Sequence, residues 1–313
     1  MIKFILNNLD ITEYVLSATW GGSDTQTSRT LDFTLAFNMT HKFDNITVKL
    51  GDIIKMYDGK KLLYCGVVTS RERSEEIGSA AYSSKDFMHY LLRSTTCKNY
   101  KNTTAERITK SLCGELKINT GDLAKTNVAI TKLIIDDESF YNVIIKAYRK
   151  AAKQTGKKYM PVMDGKKVSV IVKGQGSGVT LDGTINITSA TYSDNTDSMI
   201  NRVIIYDDKG KKHGSVSNTN NINKYGIYQS TYTKEEKINA ATAAKNMLTG
   251  IEKTASVEAI GDIRAISGYS INIKDKSTGL TGTFFITNDT HTFENGVHTM
   301  TLELAFKNTM ESV

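Results

Sequence analysis

With 313 residues, 39% of them hydrophobic and 23% charged, the chain has room for two or three domains of ordinary size, each able to bury a core. Its three cysteines, Cys65, Cys97 and Cys113, cannot all pair and show no Cys-x-x-Cys spacing. That excludes a disulfide framework or a zinc ribbon and points to folding in a reducing cytosol. The net charge of +7 is spread along the chain without interleaved aromatics, so a nucleic-acid stacking platform is not expected.

The apolar run at residues 1–6 is too short for a signal peptide, and no later stretch is long enough to span a bilayer. A single proline argues against loose linkers, so successive pieces should pack together. Residues 3–15 alternate around an Asn7-Asn8-Leu9-Asp10 turn, and residues 29–37 form a period-two strand with Leu31, Phe33, Leu35 and Phe37 on one face. Trp20 sits beside Gly21-Gly22 and a polar loop. A core anchor is its expected role and a ligand platform the alternative. Gly51-Asp52-Ile53-Ile54-Lys55, a turn at Asp58-Gly59, and Leu63–Thr69 predict a hairpin.

The period then changes. Helices are predicted over 86–93, over 104–113 with Gly114 as the stop, and over 139–155 with Ser139 or Asp137 as cap and Gly156 as stop. In the last of these, Phe140, Val143, Ile144, Ala147 and Ala151 share one face. Lys146, Arg149, Lys150 and Lys153 share the other, as a solvated stripe or an anion-binding one. A hairpin turning at Asp164-Gly165 follows.

Gly174-Gln175-Gly176-Ser177-Gly178 lacks phosphate-loop spacing and reads as a linker. Residues 181–192 and 199–206 predict strands, 211–224 an exposed loop, and 233–249 a helix opened by the capping box Thr233-Lys234-Glu235-Glu236. From 257 to 306 the chain reads as consecutive strands over 263–267, 269–274, 282–288 and 298–306, with Asn295-Gly296 turning the final hairpin. Gly268–Lys274 followed by Leu280–Thr287 repeats the plan of residues 51–69. One pair sets no fixed period, so duplication and chance likeness both stay open.

Chemistry is hard to find. The Asn295-Gly296 turn should set Phe293 opposite His298 and leave His291 diagonal on the same face, which could begin a metal site but supplies no third ligand. Asp136-Asp137-Glu138 and Asp207-Asp208 lie at a helix start and a turn, where acids have structural reasons to be. No catalytic, cofactor-binding or metal-binding residue is assigned, and no enzyme activity is expected.

Tyr192-Ser193, Met199-Ile200-Asn201-Arg202-Val203 and Tyr206-Asp207-Asp208-Lys209-Gly210 resemble the baseplate hub proteins of contractile phage tails and R-type bacteriocins. Tyr225-Gly226, Gly282 before Phe284-Phe285-Ile286, and the stretch from His291 to Leu302 are similar to that family's C-terminal pattern. Trp20, Arg29-Thr30-Leu31-Asp32-Phe33 and Gly51-Asp52 are similar to its N-terminal module. The resemblance implies a mainly β (α+β) chain with two tube-like antiparallel β-barrel domains, residues 1–83 and 174–313, around a small α/β insertion domain, 84–173. It also implies a homotrimer forming a pseudo-sixfold ring that adapts the tail tube to the central spike, among other baseplate components. Such a chain would be made in the bacterial cytoplasm, built into the tail and released by lysis. No specific nucleic-acid binding and no membrane insertion are implied. A peptidoglycan- or glycan-binding module and a tail-associated hydrolase are the alternatives.

Overall fold

The computed structural model describes residues 2–36, 45–72, 78–236 and 238–310. They pack as two compact units, Met1–Ala190 with Ser256–Val313, and Thr191–Ala255.

The first unit opens with β1 (Ile2–Leu6) and β2 (Leu9–Asp10), turned by Asn7 and Asn8 at φ 45° and 78°. Positive φ at both central residues is the type I′ requirement, which asparagine meets at low cost. Next come β3 (Val15–Ser23), β4 (Thr30–Ala36), β5 (Ile53–Asp58), β6 (Lys61–Glu72) and β7 (Ser79–Asp86). Leu31, Phe33 and Leu35 of β4 enter a core with Phe4, Trp20 and Met56, as the alternation predicts. Phe37, expected on the same face, lies outside the described residues. β7 gave no signal of its own, being mostly Ser, Ala and Lys. It exists because β4 and β6 supply a ladder on each side.

An α/β body follows: α1 (Met88–Arg93), β8 (Thr95–Thr103), α2 (Ala105–Glu115), β9 (Asn119–Leu123), β10 (Ile130–Ser139), α3 (Phe140–Thr155), β11 (Tyr159–Asp164) and β12 (Lys167–Val172). α3 matches its sequence signals. Ser139 Oγ accepts from the Asn142 N–H at 3.2 Å, Gly156 closes the helix at φ 70°, and Val143, Ile144 and Ala147 are buried. α2 differs, since it runs through Gly114 to Glu115 and the positive φ falls on Lys117 at 56°. The Ile118 N–H reaches back to the Cys113 carbonyl there, so the helix closes three residues later than the glycine suggests.

β13 (Gly176–Asp182) and β14 (Ile187–Asn195) lead to the second unit, which holds β15 (Arg202–Tyr206), β16 (Lys212–Ser217), α4 (Thr219–Tyr225), β17 (Gln229–Thr233) and α5 (Ala240–Asn246). Two expectations fail in this unit. Residues 211–224 are not a loop, because β16 pairs with β15 and α4 follows under an Asn218 cap. The capping box at Thr233 is not used either. Thr233 is held in a parallel ladder opposite Tyr206, and the helix starts at Ala240 with Asn239 Oδ1 accepting from the Thr242 N–H at 3.0 Å. Val203, Ile205 and Ala244 make this unit's small core.

The chain re-enters the first unit along β18 (Glu252–Ile260) and finishes with β19 (Ser270–Lys274), β20 (Thr281–Glu294) and β21 (Val297–Ala305). Residues 263–267, expected as a strand, form turns instead. The Asp262 carboxylate accepts from the Arg264 N–H and guanidinium, and the Asp289 carboxylate from the Ser267 N–H, so side chains rather than a ladder satisfy this backbone. The glycine run at 174–178 is half strand: β13 pairs in parallel with β19, and the Gly174 N–H bonds the Gly268 carbonyl.

The main sheet is long and mixed, in the order β14-β18-β21-β20-β3-β4-β7-β6-β5-β1-β2, with β19 beside β20 and β13 beside β19. Within it one pattern occurs twice. The path β3-β4-β7-β6-β5 has the same neighbour order and the same chain order as β14-β18-β21-β20-β19. The likeness extends to single hydrogen bonds. Gly51 (φ 91°) donates to the Val68 carbonyl, whose own N–H donates to Asp52. Gly268 (φ 90°) donates to the Ile286 carbonyl, whose N–H donates to Tyr269. Each copy then breaks register just after that residue, between Val68 and Ser70 and between Ile286 and Asn288. A shared strand order could be coincidence, but a shared left-handed glycine, bond pair and bulge position make the two hairpins geometric equivalents.

Candidate functional site

The two copies meet where β20 pairs antiparallel with β3, from Asn288 opposite Ser23 to Glu294 opposite Ser17. This seam holds a cluster of buried polar side chains, with Asp289, His291 and Ser267 at its centre. His291 stands opposite Trp20 with ring centroids 5.2 Å apart, and the Arg29 guanidinium lies 4.2 Å over the indole. Trp20 is therefore a core anchor, as its area favours. Arg29 grips Asp289 through both terminal nitrogens, one of them at 2.9 Å, while the Ser267 N–H donates to the same carboxylate at 2.6 Å. Burial alone would raise the Asp289 carboxyl. The Arg29 charge and the His291 hydrogen bond hold it well below the usual carboxylate range instead. Asp86, also buried, has no such cation in bidentate contact. Burial pushes it up to about 7 although the Arg29 and Met88 N–H groups donate to it.

The Asn295-Gly296 turn behaves as its sequence predicts, with φ 53° and 75° and Phe293 opposite His298. His291 Nε2 lies 3.1 Å from the Ala265 carbonyl, which can only accept, so Nε2 carries the proton. His291 Nδ1 then accepts from His298 Nε2–H at 3.0 Å. The His291 lone pair is thus engaged within the pair, and His298 Nδ1 is the one ring nitrogen left outside these bonds. Among the described residues no three His, Cys, Asp or Glu side chains form a metal-holding group. Cys65 and Cys113 are buried and free, and Cys97 is exposed and free.

Burial, and then the electrostatic influence of His291 beside it, push His298 down to about 4, against the opposing pull of Asp262 and Asp58. A depressed folded value favours the neutral ring in the native state, so its contribution is complete above the ordinary value of 6.5 and is lost as pH falls towards 4. Asp86 acts with the opposite sign, losing stability as pH rises from 3.8 to about 7. The expected result is that the melting-temperature difference between wild type and His298→Gln narrows as pH drops from 7 to 4. A difference that stays constant over that range removes the assignment.

The same strands leave two edges unused. β14, the counterpart of β3, has β18 as its one neighbour among the described strands. β6, the counterpart of β20, pairs with β5 only as far as Val67, so beyond its bulge Ser70–Glu72 meet β7 on one side and no described strand on the other. The seam is therefore made once inside the chain, and its two halves are each presented again, unpaired. Sequence reading found the hairpins but not this relation, because strand partners separated by more than two hundred positions leave no local signal.

A family model described as YQBQ-like matches residues 18–305. The phage-like element PBSX protein XkdQ of Bacillus subtilis is 28% identical over 275 residues, covering 84% of each chain. A 43 kDa tail protein of prophage MuSo2 from Shewanella oneidensis shares the fold at TM-score 0.73 and 14% identity, covering 97% of both chains. The Escherichia coli protein c3393, described as a component of the type VI secretion system with structural similarity to phage T4 tail proteins gp27 and gp5, superimposes at TM-score 0.56 over 94% of this chain and 74% of its own, with 11% identity. These likenesses agree with the resemblance to phage-tail baseplate proteins and with a mainly β fold.

Proposed function

Since the chain belongs to the YQBQ-like family, we propose that it is a structural, non-enzymatic component of a phage-type tail baseplate, serving as the hub between tail tube and spike. The finer reading is a homotrimeric ring of six similar β-barrel modules, residues 1–83 and the β-strands of 174–313 providing one each per copy.

The observation that carries this reading is the repeated strand order with its two unused halves. β14 of one copy is the counterpart of β3, and the free end of β6 on the next copy is the counterpart of β20. Pairing them repeats the seam between chains. Such a contact joins two different surfaces, so it propagates head to tail and is finite only if the rotation closes. Two modules per chain and a sixfold tube neighbour make three copies the closing number. Open strand edges also need a partner, since unpaired N–H and C=O groups otherwise invite aggregation. The tube above, the spike below and other baseplate subunits are the expected neighbours.

Sedimented particles from a producing culture test it, by quantitative mass spectrometry of this chain against tube and spike subunits. Three copies per particle, at half the number in one tube ring, is the expected result. Six copies would exclude the symmetry-adapting role, and a chain left in the soluble fraction would exclude the hub itself.

A further inference from the structure

The first unit holds an open pocket of about 600 Å³ at the Asn295-Gly296 hairpin tip, lined mostly by strand ends and turns. Ile2 and Phe4 of β1, Val15 and Leu16 of β3, and Phe293 and Val297 of the hairpin wall it with hydrocarbon. The apolar surface continues over the mouth. Leu16 and Val297 are 47% and 60% exposed, and Ile260, beside the lining Gly261, is 58% exposed. A concave, mostly apolar site of this size suits a ligand or a partner's anchoring side chain.

The polar side of the lining has one sign. Asp58, Asp262 and Glu294 are its charged residues, and among the described residues no Lys or Arg belongs to it, in a chain that has 40. Arg264, outside the lining, already holds Asp262 at 2.6 Å, so the weight falls on Glu294 and on His298. His298 Nε2–H donates to His291 Nδ1, which leaves its own Nδ1 as a lone pair outside these bonds. Held down to about 4, the ring stays neutral at pH 7 and keeps that lone pair. Its place is fixed by packing. The ring stacks on Phe293 with centroids 4.3 Å apart, and a Cβ at Gly261 would stand 2.2 Å from it, so any larger residue there would displace it.

An anionic occupant would be repelled here, and a purely apolar one would cover acceptors without giving them partners, which is costly. The occupant must therefore bring charged N–H donors on an apolar stem. Arginine does so, with a hydrocarbon chain for the walls and a weakly hydrated planar fork of donors for the acceptors. Neither β14 nor β6, the edges proposed to join copies of this chain, contributes to the lining, so the pocket lies off that contact. Resting on the hub reading for the source of the partner, we propose that the pocket receives an arginine side chain of a different tail protein. Its guanidinium lies among Glu294, Asp58 and His298 Nδ1, and its stem against the apolar wall.

Two measurements test it. In the isolated full chain, acetyl-Leu-Arg-amide is titrated against acetyl-Leu-citrulline-amide, which keeps the shape and loses the charge. Backbone amide resonances of Gly261 and of residues 294–298 are the readout. The arginine probe should move them saturably at several-fold lower concentration, and Glu294→Gln should narrow that gap while leaving the citrulline curve in place. Equal curves, a gap that Glu294→Gln leaves intact, or no movement with arginine would each overturn the site. In purified particles, p-benzoylphenylalanine replaces Val297 and, independently, Ile260, and the photo-crosslinked peptide is sequenced. The expected peptide comes from another tail subunit and holds an arginine whose change to methionine lowers the crosslink yield several-fold. A crosslink to a second copy of this chain, one to a segment without arginine, or none from either position would overturn the assignment of the occupant. Absence of the unsubstituted chain from particles overturns the hub reading instead, and the titration still judges the pocket.

Discussion

Arg29→Met should cost the first unit about 3–5 kcal/mol, the usual effect of leaving one buried charge of a pair uncompensated. For a unit of this size that corresponds to a fall in melting temperature of about 10 °C. The reason is local to the seam. Asp289 is fully buried, and Arg29 is the cation in contact with it, flat against Trp20 on its other side. Without the guanidinium, the Ser267 N–H and the His291 ring remain but neither carries the full charge needed. Replacing both partners by apolar residues of similar size, Arg29→Met with Asp289→Leu, should recover much of the loss, because the penalty lies in the orphaned charge more than in the missing pair. Chemical denaturation of the four chains of this cycle measures it. A single-variant loss below about 1 kcal/mol would place the pair with ordinary surface bridges and sink the argument.

Gly66→Ala should cost about 3 kcal/mol, at the upper end for one added methyl in a packed core. A Cβ at Gly66 would stand 2.6 Å from the Lys85 carbonyl oxygen and 2.2 Å from the Tyr64 hydroxyl. The carbonyl belongs to the ladder with β7 and has little room to yield, while the tyrosine can be changed. Tyr64→Ala with Gly66→Ala should therefore cost less than the two single changes added together, with a coupling on the order of 1 kcal/mol. Strict additivity would contradict it.

The second module explains why this place is crowded. Aligned by their matched glycine and bulge, Tyr64 corresponds to Gly282 and Gly66 to Phe284, so the large and small residues have exchanged positions. Where the Tyr64 hydroxyl meets Ser84 Oγ at 3.0 Å, the second module sets Phe284 and Leu304. Both solutions fill one space, and a substitution that follows neither finds it already taken.

Local signals were legible wherever a residue's neighbours in sequence were also its neighbours in space. Asn295-Gly296 fixed the last hairpin and hence Phe293 opposite His298, because positive φ at two successive positions is cheap for Asn and Gly and for few other pairs. Ser139 and Gly156 bounded α3, and an unbroken apolar face confirmed its period. The capping box at Thr233 shows the limit. Its local preference was sound, but a ladder to β15 offered the same backbone groups several hydrogen bonds at once, and the ladder won. The strand expected at 263–267 failed for the opposite reason, since carboxylates of Asp262 and Asp289 took the amides that a strand would have left for a partner.

Sequence alone determined that this chain is β-rich, needs no disulfide, carries hairpins at Asn7-Asn8, Asp58-Gly59, Asp164-Gly165 and Asn295-Gly296, and resembles baseplate proteins. Only the tertiary structure decided that the Asp58-Gly59 hairpin and the one joining β19 to β20 are equivalents, that β20 meets β3 in one seam, and that Arg29 answers Asp289 across 260 positions. The physical reason is register. Side chains alternate with period two, so the slip of one residue introduced by each bulge decides which set is buried, and that slip is set by partner strands rather than by the residues that bear it.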